Sequence, residues 1–353
     1  MRPITFIFSV LFLFGFLSCT DEQRRRMELT PTAYGEVDGI FFISDEYIWK
    51  TAVGDTFKKY FEALYPVTPQ PEPLFDIRFI SSEKFNKVHR THRTIIIMAD
   101  LSDTANTATQ MTLKAIGKQN GKRAIQDDKY RLALSYDRWA AGQLVIYWFA
   151  PNRQLLIESI RRDYDQIIKK INTHDAVKLN KQVFAEGKNQ NIEKYIKDSL
   201  RFQISIPKNF KIAYKDSSTV WIFDDTDKAS SNILMHVLKG NYLSIHPDTL
   251  IKIRNQLSKK YFSSWAEGSY MTVDKENLPL FFEEIMVLGR KGLQCRGLWK
   301  MEKDFMGGPF ASYMILDTDQ IIFLDAFVYA PGKKKRFEMR KLDMIFSGFS
   351  ALD

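Results

Sequence analysis

The sequence has few of the residues on which disulfide-rich and metal-binding proteins depend. Its 353 residues include two cysteines and five histidines. Two cysteines exclude a disulfide scaffold and a four-cysteine zinc site. Hydrophobic residues make up 45% of the chain and charged residues 26%, which is ordinary globular usage and excludes a disordered chain. At roughly 150 residues per domain, the length predicts about two domains.

The motifs of several common enzyme classes are also missing. The sequence contains no Gly-x-x-x-x-Gly-Lys phosphate loop, no Gly-x-Ser-x-Gly nucleophile elbow, no His-Glu-x-x-His and no Gly-x-Gly-x-x-Gly. We therefore predict no cofactor and favour a non-enzymatic protein, and a reaction at an unusual site stays open as the alternative.

The one long apolar segment, residues 4–17, is shorter than the roughly 17–25 residues that a spanning helix needs. It follows Arg2, and a short apolar segment behind a basic residue is typical of a secretory signal peptide. The segment ends in Phe-Leu-Ser-Cys, with Cys19 last, and this end resembles a bacterial lipobox, in which the cysteine becomes lipidated. The resemblance implies a signal peptide at 1–18, lipidation of Cys19 and a place in the cell envelope. Asp21 and Glu22 resemble the tag that some Bacteroidota lipoproteins use for surface display, so we expect the outer membrane, on its periplasmic face or at the cell surface.

The basic side chains are scattered along the chain. The formal net charge is +9, and no long run of lysine and arginine alternates with aromatic residues as a nucleic-acid site would require. The predicted partners are therefore the membrane, through the lipid on Cys19, and an envelope protein or polysaccharide, with no nucleic acid.

Hydrophobic periodicity predicts the fold class α/β (α+β), with two mixed-sheet domains, each with helices packed on its sheet. Apolar segments at 40–43, 94–98 and 144–149 predict strands, and a helix from Asn152 leads towards the second domain. The predicted organisation is a tether at 19–36, an N-terminal domain at 37–175, a helical connector at 176–199 and a C-terminal domain at 200–353. Residues 102–130 predict a mobile polar segment, residues 132–140 a helix and residues 200–206 a strand.

Several longer segments resemble an uncharacterised lipoprotein family of Bacteroidota, a domain of unknown function. The resemblance covers nearly all of the chain after Cys19 and implies a lipid-anchored envelope protein of two α/β parts, with no known activity. The order of elements in the C-terminal part is also similar to PsbP-like domains. The segments that carry the family resemblance are Pro69–Asp76, Phe85–Asn86, His89–Ile97, Gly268–Thr272, Arg296–Trp299, Met306–Phe310 and Val328–Lys333.

The most distinctive segment is the predicted loop Met306–Phe310, which contains two adjacent glycines. Adjacent glycines permit unusual backbone angles or the close approach of another backbone. The loop is therefore either a tight connection between strands or a binding loop. The candidate ligand-binding residues of the C-terminal part are Arg296, Trp299, Asp304, Gly307, Gly308 and Phe310.

A second candidate site contains His92 and Arg93. His89 and His92 have a spacing found among metal ligands, but no further ligand pair stands near them in the sequence, so we predict no metal. Arg90 and Arg93 favour a phosphate or carboxylate site instead.

Asp325 interrupts an apolar predicted strand, where a buried carboxylate needs a partner or a raised pKa. It is the partner of an arginine such as Arg296, a residue exposed at a sheet edge, or a functional group. Cys295 falls on an apolar face and is interpreted as a core residue. The sequence thus predicts a lipid-anchored, non-enzymatic binding or assembly protein, with an envelope hydrolase or transferase near Asp304, Asp325 and Arg296 as the alternative.

Overall fold

The computed structural model describes residues 30–127, 129–240, 245–317 and 319–351. The predicted signal peptide and Cys19 lie outside these residues. Within them, none of the helices combines the length and the apolar character that crossing a membrane requires. The described residues form an α/β fold with two large sheets and seven helices, which confirms the predicted fold class.

The first sheet is mixed, with strands in the order β2-β1-β3-β5-β4. The pairs β1–β2, β1–β3 and β3–β5 are parallel, and β4 joins antiparallel to β5. Strands β3 and β5 are buried on both faces, as expected for central parallel strands covered by helices. The strands are β1 (Gly39–Ser44), β2 (Asp76–Ser81), β3 (Thr94–Asp100), β4 (Leu132–Tyr136) and β5 (Leu144–Ala150).

Four helices cover the two faces of this sheet. Apolar side chains of α1, α2 and α4 pack on one face, and those of α3 pack on the other. Asn152 starts α4, because its side chain accepts a hydrogen bond from the Leu155 backbone amide. The helices are α1 (Glu46–Lys50), α2 (Ala52–Phe61), α3 (Thr107–Gln126) and α4 (Arg153–Val183), with 3-10 turns at Ser82–Lys84 and His89–Thr91.

The second sheet is antiparallel, where the sequence predicted a mixed sheet. Its order is β10-β12-β13-β14-β9-β8-β7, and β11 pairs with the part of β12 that β10 leaves open. A separate pair joins β6 to β15. The strands are β6 (Phe202–Gln203), β7 (Lys211–Lys215), β8 (Thr219–Asp225), β9 (Ser230–Lys239), β10 (Tyr270–Asp274), β11 (Phe281–Val287), β12 (Arg290–Glu302), β13 (Gly307–Leu316), β14 (Gln320–Tyr329) and β15 (Ser350–Ala351).

Helices cover both faces of the second sheet. Apolar residues of α5 (Gln190–Leu200) and α7 (Arg336–Ser347) form one core with it, and those of α6 (Pro247–Tyr261) form another on the opposite face. The segment 176–199, predicted as a connector, contains the end of α4 and most of α5, and α5 belongs to the core of the second sheet. The division into domains stays a prediction.

Three local predictions are wrong. Residues 107–126 form α3 rather than a mobile segment, and Gly117 interrupts its helical backbone with a φ of 82°. Residues 132–136 form a strand rather than a helix, because they pair with β5. Of the strand predicted at 200–206, only Phe202–Gln203 is a strand, since Leu200 ends α5.

Candidate functional site

A cleft of about 410 Å³ lies between the two sheets and is called the central cleft here. Residues before β2 and along α4 form one wall, and residues of β11, β12 and α7 form the other. From the first wall come Tyr65, Leu74, Asn172 and Leu179, and from the second come Glu283, Gln294, Arg296, Arg340, Asp343 and Ser347. Charged side chains line the cleft, among them Glu283, Arg296, Arg340 and Asp343.

A charged cluster around Asp343 lies in the second wall of the cleft and reaches Tyr65 in the first. The Arg296 guanidinium donates to Asp343 Oδ1 at 2.7 Å. The Tyr313 hydroxyl donates to the same oxygen at 3.1 Å, and the Tyr65 hydroxyl donates to Asp343 Oδ2 at 3.4 Å. The side-chain amide of Gln294 lies 2.6 Å from the Tyr313 hydroxyl. The Asp343 carboxylate therefore accepts hydrogen bonds from side chains on both sides of the cleft.

Burial and the Asp343 carboxylate set the protonation of this cluster. Burial, followed by the negative charge of Asp343, raises the pKa of Tyr65 and of Tyr313. Burial opposes the charged form of Arg296, but the attraction of Asp343 and the tyrosine oxygens outweighs it, so the pKa of Arg296 is raised. All three side chains consequently keep their protons near neutral pH and act as donors.

Hydrogen bonds and ion pairs join the start of α7 to the first half of the chain. The Glu72 carboxylate accepts from the backbone amide of Lys335, the residue before α7, at 2.7 Å and from that of Arg336, the first residue of α7, at 3.2 Å. The Arg336 side chain pairs with Asp38 at 3.3 Å and with Asp76 at 2.5 Å. Because anchors of this kind join residues more than 250 positions apart, the two halves are held together by charge as well as by apolar packing.

A second groove, of about 530 Å³, contains Trp299, Gly307 and Gly308, three of the predicted ligand-binding residues. Trp299 is buried, and its indole donates to Val328 O at 3.3 Å. A side chain at Gly308 would come within 2.1 Å of that same oxygen and 3.0 Å of the indole nitrogen. Gly308 therefore allows Trp299 to pack, and Gly307 begins strand β13 rather than a loop.

Phe310 and Asp304, two further predicted ligand-binding residues, do not line the central cleft or the second groove. Phe310 is buried, with the Arg254 guanidinium 3.7 Å from its ring centre. Asp304 lies in the turn between β12 and β13, where its carboxylate accepts from the Phe305 amide at 2.7 Å. Of the predicted ligand-binding residues in the C-terminal part, Arg296 is the one that lines the central cleft.

The structure does not bring Asp304, Asp325 and Arg296 together. Asp325 points to the α6 face of the second sheet, where it accepts from Arg254 Nε at 3.0 Å and from Ser312 Oγ at 2.5 Å. Arg296 points to the opposite face, because the neighbouring Cys295 belongs to the α6 core and strand side chains alternate. The predicted pair of Asp325 with Arg296 is therefore corrected to a pair with Arg254.

His92 and Arg93 take part in internal contacts. The His92 ring stacks on Phe41, with 3.7 Å between ring centres, and burial lowers its pKa to about 4. Arg93 is 7% exposed and contacts Asp175 Oδ1 at 3.1 Å, Gly142 O at 3.0 Å and His174 O at 2.5 Å. The Arg93 guanidinium is thus engaged by internal acceptors, and the anion site at Arg90 and Arg93 stays a prediction. Across the described ranges, no cluster of three or more His, Cys, Asp or Glu side chains could hold a metal ion.

Sequence reasoning missed Tyr65, Glu72 and Asp343. One signal was available for Glu72, because Pro71 and Pro73 flank it and hold the chain extended on both sides. Tyr65 and Asp343 are 278 positions apart, and no local pattern connects them.

Comparisons with known proteins divide the chain in two. Residues 33–184 match the family described as Domain of unknown function (DUF8532), and residues 189–348 match Domain of unknown function (DUF4837). The chain contains two domains of unknown function. No curated protein matches the sequence.

Solved structures show weak similarity over less than half of the chain. Cyanobacterial PsbP (CyanoP) from Synechocystis sp. PCC 6803 has 8% identity and a TM-score of 0.31, covering 43% of this chain and 86% of its own. The Ran-binding protein Mog1p of Saccharomyces cerevisiae has 10% identity and a TM-score of 0.28, with 43% and 91% covered. LpqN, involved in cell envelope biogenesis of Mycobacterium tuberculosis, has 11% identity and a TM-score of 0.27, with 43% and 83% covered.

Proposed function

We propose that this chain is a lipid-anchored protein of the Bacteroidota cell envelope that binds a partner at the central cleft without catalysing a reaction. The partner is an envelope protein or a surface polysaccharide. The anchor is the lipid on Cys19, and the membrane is the outer membrane. The observation that carries the proposal is the pair of Arg296 and Asp343 in the wall of the cleft, with Tyr65 and Tyr313 donating hydrogen bonds to Asp343.

The chemistry of the cluster favours binding over proton transfer. A general acid or base works best when its pKa lies near the operating pH. Arg296, Tyr65 and Tyr313 all have raised pKa values, so each holds its proton at neutral pH. Fixed donors and a shared carboxylate suit recognition of polar groups by hydrogen bonds.

Site-specific photocrosslinking in the native cell tests the proposal. A photoreactive residue at Ser347 samples the cleft, because Ser347 is exposed and lines it. The matched control carries the same residue at Lys118, an exposed position on α3, on the other face of the first sheet. We expect a recurrent protein or glycan adduct from 347 that is missing from 118. The same adducts from both positions would refute a binding site at the cleft.

A further inference from the structure

Strand β11 leaves hydrophobic side chains in solvent. Phe281 is 49% exposed, Phe282 39% and Met286 65%. The Glu283 and Glu284 side chains between them are also exposed. Isolated apolar residues on a surface are ordinary, but a strand that exposes three large apolar side chains is typical of an interaction site.

The outer edge of β11 is open. Its inner edge pairs antiparallel with β12, from Phe281 opposite Arg296 to Val287 opposite Arg290. In the parts of the chain that the structure describes, no strand pairs with the other edge. An open edge presents a row of unpaired backbone donors and acceptors, which another extended chain can complete.

The strand continues the wall of the central cleft. Glu283 lies opposite Gln294 in the register and lines the cleft together with Arg296. A chain added to the outer edge of β11 would therefore run along the mouth of the cleft. The edge and the cleft form one continuous surface.

The negative charges of Glu283 and Glu284 favour a basic segment over a second copy of β11 at this edge. A second copy pairing antiparallel over the whole of β11 would place Glu284 opposite its own counterpart, and like charges directly opposite each other destabilise a sheet. A segment with basic residues opposite Glu283 and Glu284, and apolar residues on either side, has complementary charge and complementary apolar surface.

We infer that the partner bound at the central cleft presents an extended polypeptide segment, basic at its centre and apolar on both sides, which adds as a strand to β11. This inference rests on the proposed function and narrows its partner to a polypeptide.

A defined peptide tests strand addition on the full-length acylated chain. The probe is SVTVKKVTVS, whose palindromic sequence presents the lysine pair to Glu283 and Glu284 in either strand direction. We expect it to slow amide hydrogen exchange in 281–287. The peptide SVTVEEVTVS and a backbone N-methylated SVTVKKVTVS should bind at least about tenfold more weakly, because one reverses the charge and the other removes ladder hydrogen bonds.

The protein variant is Glu283→Lys/Glu284→Lys, and its control is Asp225→Lys/Asp227→Lys, which makes the same charge change at an exposed turn. We expect only the first to lose the probe. Exchange in 281–287 that no peptide slows, or equal binding of the N-methylated peptide to the unmodified chain, would overturn the inference. If the inference fails, an adduct that still forms from position 347 in the Glu283→Lys/Glu284→Lys variant leaves the proposed function standing. If the parent chain gives no specific adduct from position 347, the proposed function and the inference both fail.

Discussion

The carboxylate of Glu72 caps the helix that begins at Arg336, accepting its backbone amide at 3.2 Å. Both residues are buried, and Glu72 comes from the proline-flanked segment of the first half. A helix leaves its first amides without partners inside the helix, so a carboxylate supplied from elsewhere satisfies them and also meets the positive end of the helix dipole. The Glu72 cap therefore also joins the two halves of the chain.

Glu72→Ala should destabilise the protein by about 1–2 kcal/mol, the usual cost of losing a helix cap, with the burial of Glu72 placing the cost at the upper end. Urea unfolding of the full chain measures the change. Glu62→Ala, at an exposed position ten residues before Glu72, serves as a surface control and should change the free energy of unfolding by less than about 0.5 kcal/mol. Equal effects of the two substitutions would contradict the capping role.

The pair of Arg254 and Asp325 is fully buried, with side chains 0% and 1% exposed. Arg254→Met alone should cost about 3–5 kcal/mol, because it strands a buried carboxylate. Arg254→Met/Asp325→Leu should recover most of that loss, since apolar residues of similar volume replace both charges. If the double variant is as unstable as Arg254→Met, the loss of stability does not come from leaving the Asp325 carboxylate unpaired.

The His92 ring has a pKa of about 4 in the folded protein, lowered from 6.5 mainly by burial. As the pH falls from 6.5 towards 4, the unfolded chain takes up this proton before the folded one does, and the contribution to stability is lost across that window. Relative to His92→Asn, the parent chain should therefore lose on the order of 2–3 kcal/mol over the window. Parallel stability curves for the two proteins would contradict a buried neutral histidine. Because burial raises the pKa of Asp175 to about 6, that carboxyl contributes in the opposite direction, which makes the comparison with the variant necessary.

Leu288 occupies the hairpin turn between β11 and β12 with a φ of 53°, and it is 59% exposed. A left-handed conformation costs roughly 1 kcal/mol for a leucine, and asparagine tolerates it better. Leu288→Asn should raise the free energy of unfolding by about 0.5–1 kcal/mol. A lower stability would show that the leucine side chain makes packing contacts that outweigh the backbone strain.

Cys19→Ala tests the anchor, which lies outside the described residues. If lipid on Cys19 holds the protein, the variant should leave the membrane fraction or retain its signal peptide. Unchanged fractionation together with an unchanged mature mass would contradict the lipoprotein prediction.

The sequence allowed the central strands and the amphipathic helices to be predicted because their burial follows a regular period. The helix predicted at residues 132–136 is wrong: leucine and alanine favour a helix, but these residues form a strand because they pair with β5. Helix α3 was missed because its residues are largely polar and Gly117 interrupts its period. Asp325 was recognised as a buried carboxylate, but its partner depended on which helix covers that face, a tertiary fact. The cleft depends on contacts such as Tyr65 with Asp343, which join distant segments.

The most direct test of the central claim is to repeat photocrosslinking from position 347 in the variant Arg296→Met/Asp343→Leu. This variant removes both charges together, so neither is left unpaired in the cleft wall. Binding at the cleft predicts that the specific adduct disappears while membrane fractionation is unchanged and the variant still unfolds cooperatively. An adduct of undiminished yield from the folded variant would contradict the claim that the Arg296–Asp343 cluster recognises the partner.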